Sequence, residues 1–456
     1  LTDAPARTLA GLLARLSSRT RNIGWSFAGQ VLPMLAGLIF VPLLIKSLGT
    51  ARFGFLSLVW VLIGYFSLFD LGLARALTQR VANLLAQGDI ARVRAAVHSG
   101  MLLIGGLALL SAPIVYFSHD LLLGELMHSG PALAGEANSA FTWLVVGVPI
   151  VIFSAGVRGI LEGQHRFKAV NLIRTPGGVM MFVGPWLATL FTPTLGAVTL
   201  AILLVRLAQT IGFLALAGDL VWKRTDAAPN VFAIDRDEVR MLFGFGLWVT
   251  VSNVISPVMV YMDRFAISHF GNLSDVAYYS TPFDLIARLL FLSNSVSTVM
   301  FPALSAAYST EPAAMKAISR QNFMIVGGLI APITLVVLIF ANPLMTLWVG
   351  AAFAARSSVI LQLLSVGILI NALASVGYSN LQAMRRADLT AKFHIGELPF
   401  YIVLLIVLVE QFGILGAAIA WLVRVSVDLC LLYYFSWRLR WRTTMKPVVV
   451  ITHPVL

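Results

Sequence analysis

The chain has 456 residues, of which 59% are hydrophobic and only 11% charged. A soluble domain carries about 25% charged residues, so a soluble protein with a large core is excluded. The formal net charge of +12 would suggest nucleic acid if the basic residues gathered into one face of a fold, and they do not.

Apolar runs recur from end to end, each long enough to cross a hydrocarbon layer of about 30 Å as a helix. In chain order they are 24–48, 53–75, 97–118, 139–162, 167–191, 196–221, 243–268, 275–301, 320–342, 356–382, 391–409 and 412–437, giving twelve predicted spans. The basic residues alternate between the two sides. Arg7, Arg15, Arg19 and Arg21 precede span 1, Arg80, Arg92 and Arg94 follow span 2, and Arg166 and Lys168 follow span 4. Lys223, Arg224, Arg236 and Arg240 follow span 6, and Lys316 and Arg320 follow span 8. Arg385, Arg386 and Lys392 follow span 10, and Arg438, Arg440, Arg442 and Lys446 close the chain. The opposite side has Lys46, Arg52 and Arg356. Basic loops stay in the cytoplasm, so both termini are expected there and the charge reports topology, with no nucleic-acid partner. The expected location is the bacterial inner (cytoplasmic) membrane, with span 1 behind its basic leader acting as the insertion signal.

The spans are written twice. Trp25 to Gly49 and Trp248 to Gly271 are apolar runs ending in Leu-Gly and Phe-Gly. Phe53-Gly54-Phe55 then corresponds to Val276-Ala277-Tyr278-Tyr279. The loop from Asp89 corresponds to that from Glu311, and Leu161-Glu162-Gly163-Gln164-His165-Arg166 to Leu381-Gln382-Ala383-Met384-Arg385-Arg386. The expected fold is an all-α membrane protein of twelve transmembrane helices in two six-helix lobes related by an internal parallel repeat. Its parts are a cytoplasmic N-terminal segment (1–23), an N-lobe (24–221), a cytoplasmic linker (222–242), a C-lobe (243–437) and a cytoplasmic tail (438–456). Duplicated bundles of this kind usually hold their site between the repeats, which points to transport.

Little lies outside the membrane. The largest loops are Asp120–Asn138 and Lys223–Glu238, and neither a GxxxxGK[ST] phosphate loop nor a GxGxxG after a strand is present. No cofactor is expected, and the driving force would be an ion or substrate gradient. His119 and His128 share the outer loop with Asp120, Glu125 and Glu136, but the spacing fits no metal-ligand pattern and reads as a solvated acidic loop. The remaining histidines are scattered and suggest no catalytic set. The single cysteine, Cys430, forms no internal disulfide and no metal framework.

Ionisable residues inside the spans cost about 2.5–3.5 kcal/mol on insertion scales and so face protein or water. The basic ones are all arginine: Arg75, Arg158, Arg174, Arg206, Arg264, Arg288 and Arg424. The acids at similar depth are Asp70, Glu162, Asp263, Asp284, Glu397 and Asp428. A rise of about 1.5 Å per residue puts Arg206, Arg288 and Arg424 near the midplane, with Asp284 and Asp428. Arg75, Arg158, Glu162 and Arg174 come near the cytoplasmic face and Asp263-Arg264 near the outer face. At i,i+4 spacing, Asp284/Arg288, Arg424/Asp428 and Arg158/Glu162 share helix faces, so mutual neutralisation competes with function for each pair. Arg206 has no acid in its span and needs a partner from elsewhere. Guanidinium keeps its charge when desolvated and forks onto phosphate, so these arginines suit an anionic head group, pyrophosphate above all. Prolines break the i−4 hydrogen bond, and Pro176-Gly177-Gly178 is the expected hinge.

The chain resembles the Wzx-type oligosaccharide flippases, the polysaccharide branch of the multidrug/oligosaccharidyl-lipid/polysaccharide (MOP) exporter superfamily. The residues that carry this are Phe69-Asp70-Leu71-Gly72-Leu73 with Thr78-Gln79-Arg80, and Leu161 to Phe167 leading to Asn171. Asp263-Arg264-Phe265 with Gly271 and Ala277-Tyr278-Tyr279 complete the set. The resemblance implies a MATE-like, V-shaped pair of lobes that alternates access through a partly cationic inter-lobe cavity. It implies translocation of an undecaprenyl-pyrophosphate-linked oligosaccharide, as in O-antigen synthesis, from the cytoplasmic to the periplasmic leaflet. H+ or Na+ coupling, membrane lipids and polysaccharide polymerase machinery are the implied coupling ions and partners. Some relatives hold a coupling cation on spans 7 and 11, where Asp263 and Glu397 stand here. A multidrug or cation antiporter on the same fold is the alternative; the buried arginines argue against it. A membrane glycosyltransferase would need an acidic pair and a sizeable loop, and the small loop with Asp120 and Glu125 is the only outer candidate.

Overall fold

A computed structural model describes residues 29–66, 70–127, 130–221, 238–239, 241, 258–310 and 312–444. The expectations for the N-terminal segment, Phe69, His128, most of the linker and of span 7, Glu311 and the end of the tail lie outside them. Among the described residues there is helix and no strand. The helices are α1 (Gly29–Leu48), α2 (Thr50–Phe66), α3 (Leu73–Ala86), α4 (Ile90–Phe117), α5 (Gly130–Gly163), α6 (Phe167–Phe191) and α7 (Leu195–Val221). They continue as α8 (258–270), α9 (Leu273–Ile286), α10 (Leu290–Thr310), α11 (Pro312–Val349), α12 (Ala351–Ala383) and α13 (Ala387–Thr444). Eight helical stretches among the described residues are long and apolar enough to cross a membrane, and the chain is a multi-pass membrane protein.

Three boundaries differ from the sequence reading, each for a local reason. Predicted span 2 is two helices, because Leu71 (φ 50°) and Gly72 (φ 70°) turn left-handed between α2 and α3. Asp70 makes the turn tenable: its carboxylate accepts from the backbone N–H of Gly72 and of Ala74, both at 3.0 Å, so α3 begins on satisfied donors. Predicted span 8 is interrupted by a 3-10 turn at Ala287–Leu289. The outer loop is largely helical: a π-helical segment covers Asp120–Leu126 and α5 starts at Gly130. Conversely, the expected division between spans 11 and 12 falls within α13, at Gly413 (φ 56°, ψ −134°), a conformation that essentially only glycine adopts.

The expected hinge takes another form. Helix α6 passes through Pro176 and Pro185 without a break, and Gly177 lies so close to Gln209 of α7 that a Cβ would overlap its amide. Glycine there serves close helix approach.

The chain divides into two compact units, Leu1–Tyr261 with Asn272–Ala277, and Met262–Gly271 with Tyr278–Leu456. In the first, α2 packs on α5 and α7 and is buried without interruption from Phe53 to Val59, the signature of a helix enclosed on all sides. In the second, α12 takes the central place against α10, α11 and α13. Gly367 on α12 leaves room for the buried ring of Trp421 on α13.

The two segments that the sequence aligns, Leu161–Arg166 and Leu381–Arg386, end their helices in the same way. Helix α5 ends with His165 at φ 56°, and α12 with Arg385 at φ 58°. Arg166 N–H donates to Leu161 O and His165 N–H to Glu162 O; Arg386 N–H donates to Leu381 O and Arg385 N–H to Gln382 O, all at 2.9–3.0 Å. Both are Schellman ends, built on non-glycine residues at equivalent positions of the two halves.

Candidate functional site

In the first unit the polar interior centres on Arg206 of α7. Its Nη1 donates to Gln209 Oε1 at a long 3.4 Å, and its Nε is buried with no hydrogen-bond partner among the described residues. Arg158 of α5 lies within electrostatic range of Arg206 and of Asp70. Its Nε comes 3.4 Å from Glu162 Oε1, so that predicted i,i+4 pair forms. Arg75 and Arg174 are exposed. Glu162 and Asp70 both lie near Arg158, so Arg206, whose only charged neighbour is Arg158, is the guanidinium that an anion could satisfy. Asp70 has both oxygens on the α3 backbone, and the buried Glu238 has both on Arg80, at 2.5 and 2.8 Å; the sequence reading missed this clamp.

The second unit holds a longer chain of buried charge. Asp263, fully buried on α8, accepts from Arg264 N–H at 2.7 Å and from Tyr279 Oη at 2.5 Å. Arg264, also buried, extends its Nη2 to Asp284 Oδ1 at 2.5 Å and lies 5.5 Å from the centre of the Phe283 ring. Asp284 and Arg288, expected to share a helix face, do not neutralise each other: the Asp284 carboxylate goes to Arg264, and Arg288 Nε donates to the Asp284 backbone oxygen at 3.1 Å. The 3-10 turn that interrupts the helix changes the i,i+4 register of the two side chains.

On α13, Arg424 sits over Tyr401, 5.8 Å from its ring centre, and its charge reaches Glu397, Asp428 and His394. The shared face expected of Arg424 and Asp428 brings their charges within range, while Asp428 Oδ1 has no hydrogen-bond partner among the described residues. Both carboxylate oxygens of Glu397 and the Tyr401 hydroxyl are likewise buried without a hydrogen-bond partner among the described residues. Asp263 is within electrostatic range of Tyr401, so the groups form one series from Asp284 through Arg264, Asp263, Tyr279, Tyr401 and Arg424 to Glu397 and Asp428. Natural structures rarely leave buried polar atoms unpaired without cause. A proton or small cation is what such oxygens can hold, and an arginine nearby keeps the affinity moderate.

Sequence reasoning found the charged members of this series and missed the tyrosines. Tyr279 carried a signal in Ala277-Tyr278-Tyr279, which matches the aromatic patch of the first half; Tyr401, in an apolar run, carried none.

Comparison with known proteins agrees with this architecture. A family model described as "Polysaccharide biosynthesis protein" matches residues 19–308. A Shigella flexneri protein named as an O-antigen transporter is 28% identical over 419 residues, covering 92% of this chain and 98% of that one. The Escherichia coli lipopolysaccharide biosynthesis protein WzxC is 20% identical over 429 residues, covering 92% and 81%. Among solved structures, an inward-facing multidrug resistance MATE family transporter of the MOP superfamily superposes with a TM-score of 0.75, at 14% identity, over 92% of this chain and 99% of that one. The helical fold is thus MATE-like, and the chain belongs to the polysaccharide biosynthesis protein family.

Proposed function

We propose that this chain is a flippase for a lipid-linked glycan; it is a membrane transporter and not an enzyme. The observation that carries the reading is the near full-length similarity to a protein named for O-antigen transport. The finer reading is an undecaprenyl-pyrophosphate-linked oligosaccharide moved from the cytoplasmic to the periplasmic leaflet by alternating access, with twelve spans in two lobes and both termini in the cytoplasm. Arg206 and Arg158 in the first unit, and Arg424 and Arg288 in the second, are the groups we assign to the pyrophosphate, because guanidinium stays charged away from water. Arg75, Arg174 and Arg264 are expected to steer or position it. Asp263, Glu397 and Asp428 are assigned to H+ or Na+ coupling, supported by the buried, unpartnered oxygens of Glu397 and Asp428.

The test is a proteoliposome assay with a polyprenyl-pyrophosphate glycan, its exposure read from outside with and without an imposed pH or sodium gradient. Protein-dependent movement that fails in Arg206→Ala and Arg424→Ala supports the reading. Unchanged movement in both variants, at equal protein levels, removes the arginine assignment. Transport of organic cations with no movement of glycan-lipid would transfer the protein to the antiporter class, for which the same carboxylates are suited.

A further inference from the structure

A separate site lies at one end of the second unit, away from the buried charge series. A cavity of about 240 Å³ is lined by Arg386, Leu389, Phe435, Arg438 and Leu439. Its position relative to the membrane follows from the helices. The apolar stretch of α12 ends at Ala383, and that of α13 runs from Asp388 to Leu439 with its kink at Gly413 between two passes. The end of the α12 stretch and both ends of the α13 stretch therefore come to the same face. Tyr434 and Trp437 are exposed beside the cavity, as aromatic side chains are at the headgroup level of a bilayer.

The lining is amphiphilic and firmly built. Leu389, Phe435 and Leu439 form the apolar floor and pack on the buried Ala374, Leu381 and Leu432, and the Phe393 and Phe435 rings lie 4.9 Å apart. The basic rim has Arg386, whose Nε and Nη2 donate to Asp388 at 2.9 and 3.1 Å, which leaves its Nη1. Arg438 uses only a long 3.5 Å bond to Tyr434 Oη, and Lys392 lies 3.9 Å from Asp388. The lining itself thus carries two guanidiniums, those of Arg386 and Arg438, and no carboxylate. Basic pockets between membrane helices on the cytoplasmic side select anionic headgroups.

We propose that this cavity binds the phosphate headgroup of an anionic phospholipid of the cytoplasmic leaflet, with the first acyl methylenes on Leu389, Phe435 and Leu439. The leaflet rests on the topology given under the proposed function; the binding itself does not.

Full-length protein in neutral detergent is titrated with phosphatidylglycerol or phosphatidylcholine in mixed micelles, and retained lipid is counted by native mass spectrometry. No glycan, gradient or transport is involved, so failure of the flippase reading and failure of this one are separable. The wild type is expected to retain phosphatidylglycerol over phosphatidylcholine. Arg386→Gln and Arg438→Gln should each weaken retention by about fivefold, the effect of one basic residue near a membrane surface. Phe435→Ala should weaken it with charge unchanged. Lys316→Gln with Arg320→Gln, which removes two charges from another exposed stretch where either rim variant removes one, should retain lipid like the wild type. Equal losses in the Arg386/Arg438 and Lys316/Arg320 variants would show charge alone at work and overturn the site. So would full retention by Arg438→Gln. Melting curves of every variant check that each is folded.

Discussion

The two units treat buried carboxylates differently. In the first, Asp70 is consumed by the N–H groups that open α3, and Glu238 is clamped by both arms of Arg80. In the second, Asp263 is engaged by Tyr279 and a backbone N–H, but among the described residues Glu397 and one oxygen of Asp428 have no hydrogen-bond partner. A carboxylate withdrawn from water without a partner is expensive, and within a membrane protein such groups mark ion or substrate pathways. The difference teaches that buried acid alone does not identify a site. In one unit acids hold the fold together, and in the other they are left able to take a ligand.

The sharpest way to break this comparison is to neutralise one acid of each kind. Glu397→Gln is expected to abolish the response of transport to a gradient, by one to two orders of magnitude if the coupling is about 1–3 kcal/mol, with little change in melting temperature. Asp70→Ala should do the reverse: a cap lost at about 1 kcal/mol, read by thermal unfolding, with gradient response retained. Gradient dependence lost with Asp70 and kept with Glu397 would invert the assignment. Larger than either in its effect on stability is Gly367→Ala. A Cβ there would enter the Trp421 ring, and overpacking costs about 1–3 kcal/mol. Gly327→Ala, whose nearest neighbour would be Leu373 at 3.6 Å, is the matched control and should unfold close to the wild type.

The positions of the helices were legible because apolar run length is a one-dimensional property. The boundary between spans 11 and 12 fell beside Gly413 for that reason. The break at Leu71-Gly72 was not legible, since it sits in apolar sequence and depends on Asp70 folding back on the next helix. The same holds for the charges. Spacing along one helix placed Asp284 opposite Arg288, but the acid is held by Arg264, a partner from another helix that no periodicity predicts. Arg158/Glu162, within an unbroken helix, obeyed the spacing rule. Sequence thus named the ionisable groups, and their pairing was decided by helix breaks.

The smallest expected effect lies outside the membrane, where the comparison can be sharpened by a charge that titrates in water. His119 has its Nδ1 2.8 Å from Asp120 Oδ1 and its Nε2 2.7 Å from Asn138 Oδ1. These contacts, that with Asp120 foremost, raise its pKa above the ordinary imidazole value. A group whose pKa is raised by folding stabilises the native state fully below its unfolded value, about 6.5, and that stabilisation is lost as the pH rises through the raised value. His119→Gln should therefore lower the melting temperature at about pH 5 and converge with the wild type at about pH 8, the window in which histidine charge changes. The shift should be small, because the pair is exposed and screened by solvent. A larger gap at high pH than at low would mean that the neutral ring, packed edge-on against Phe141 at 5.0 Å, does the stabilising and that the ion pair contributes nothing.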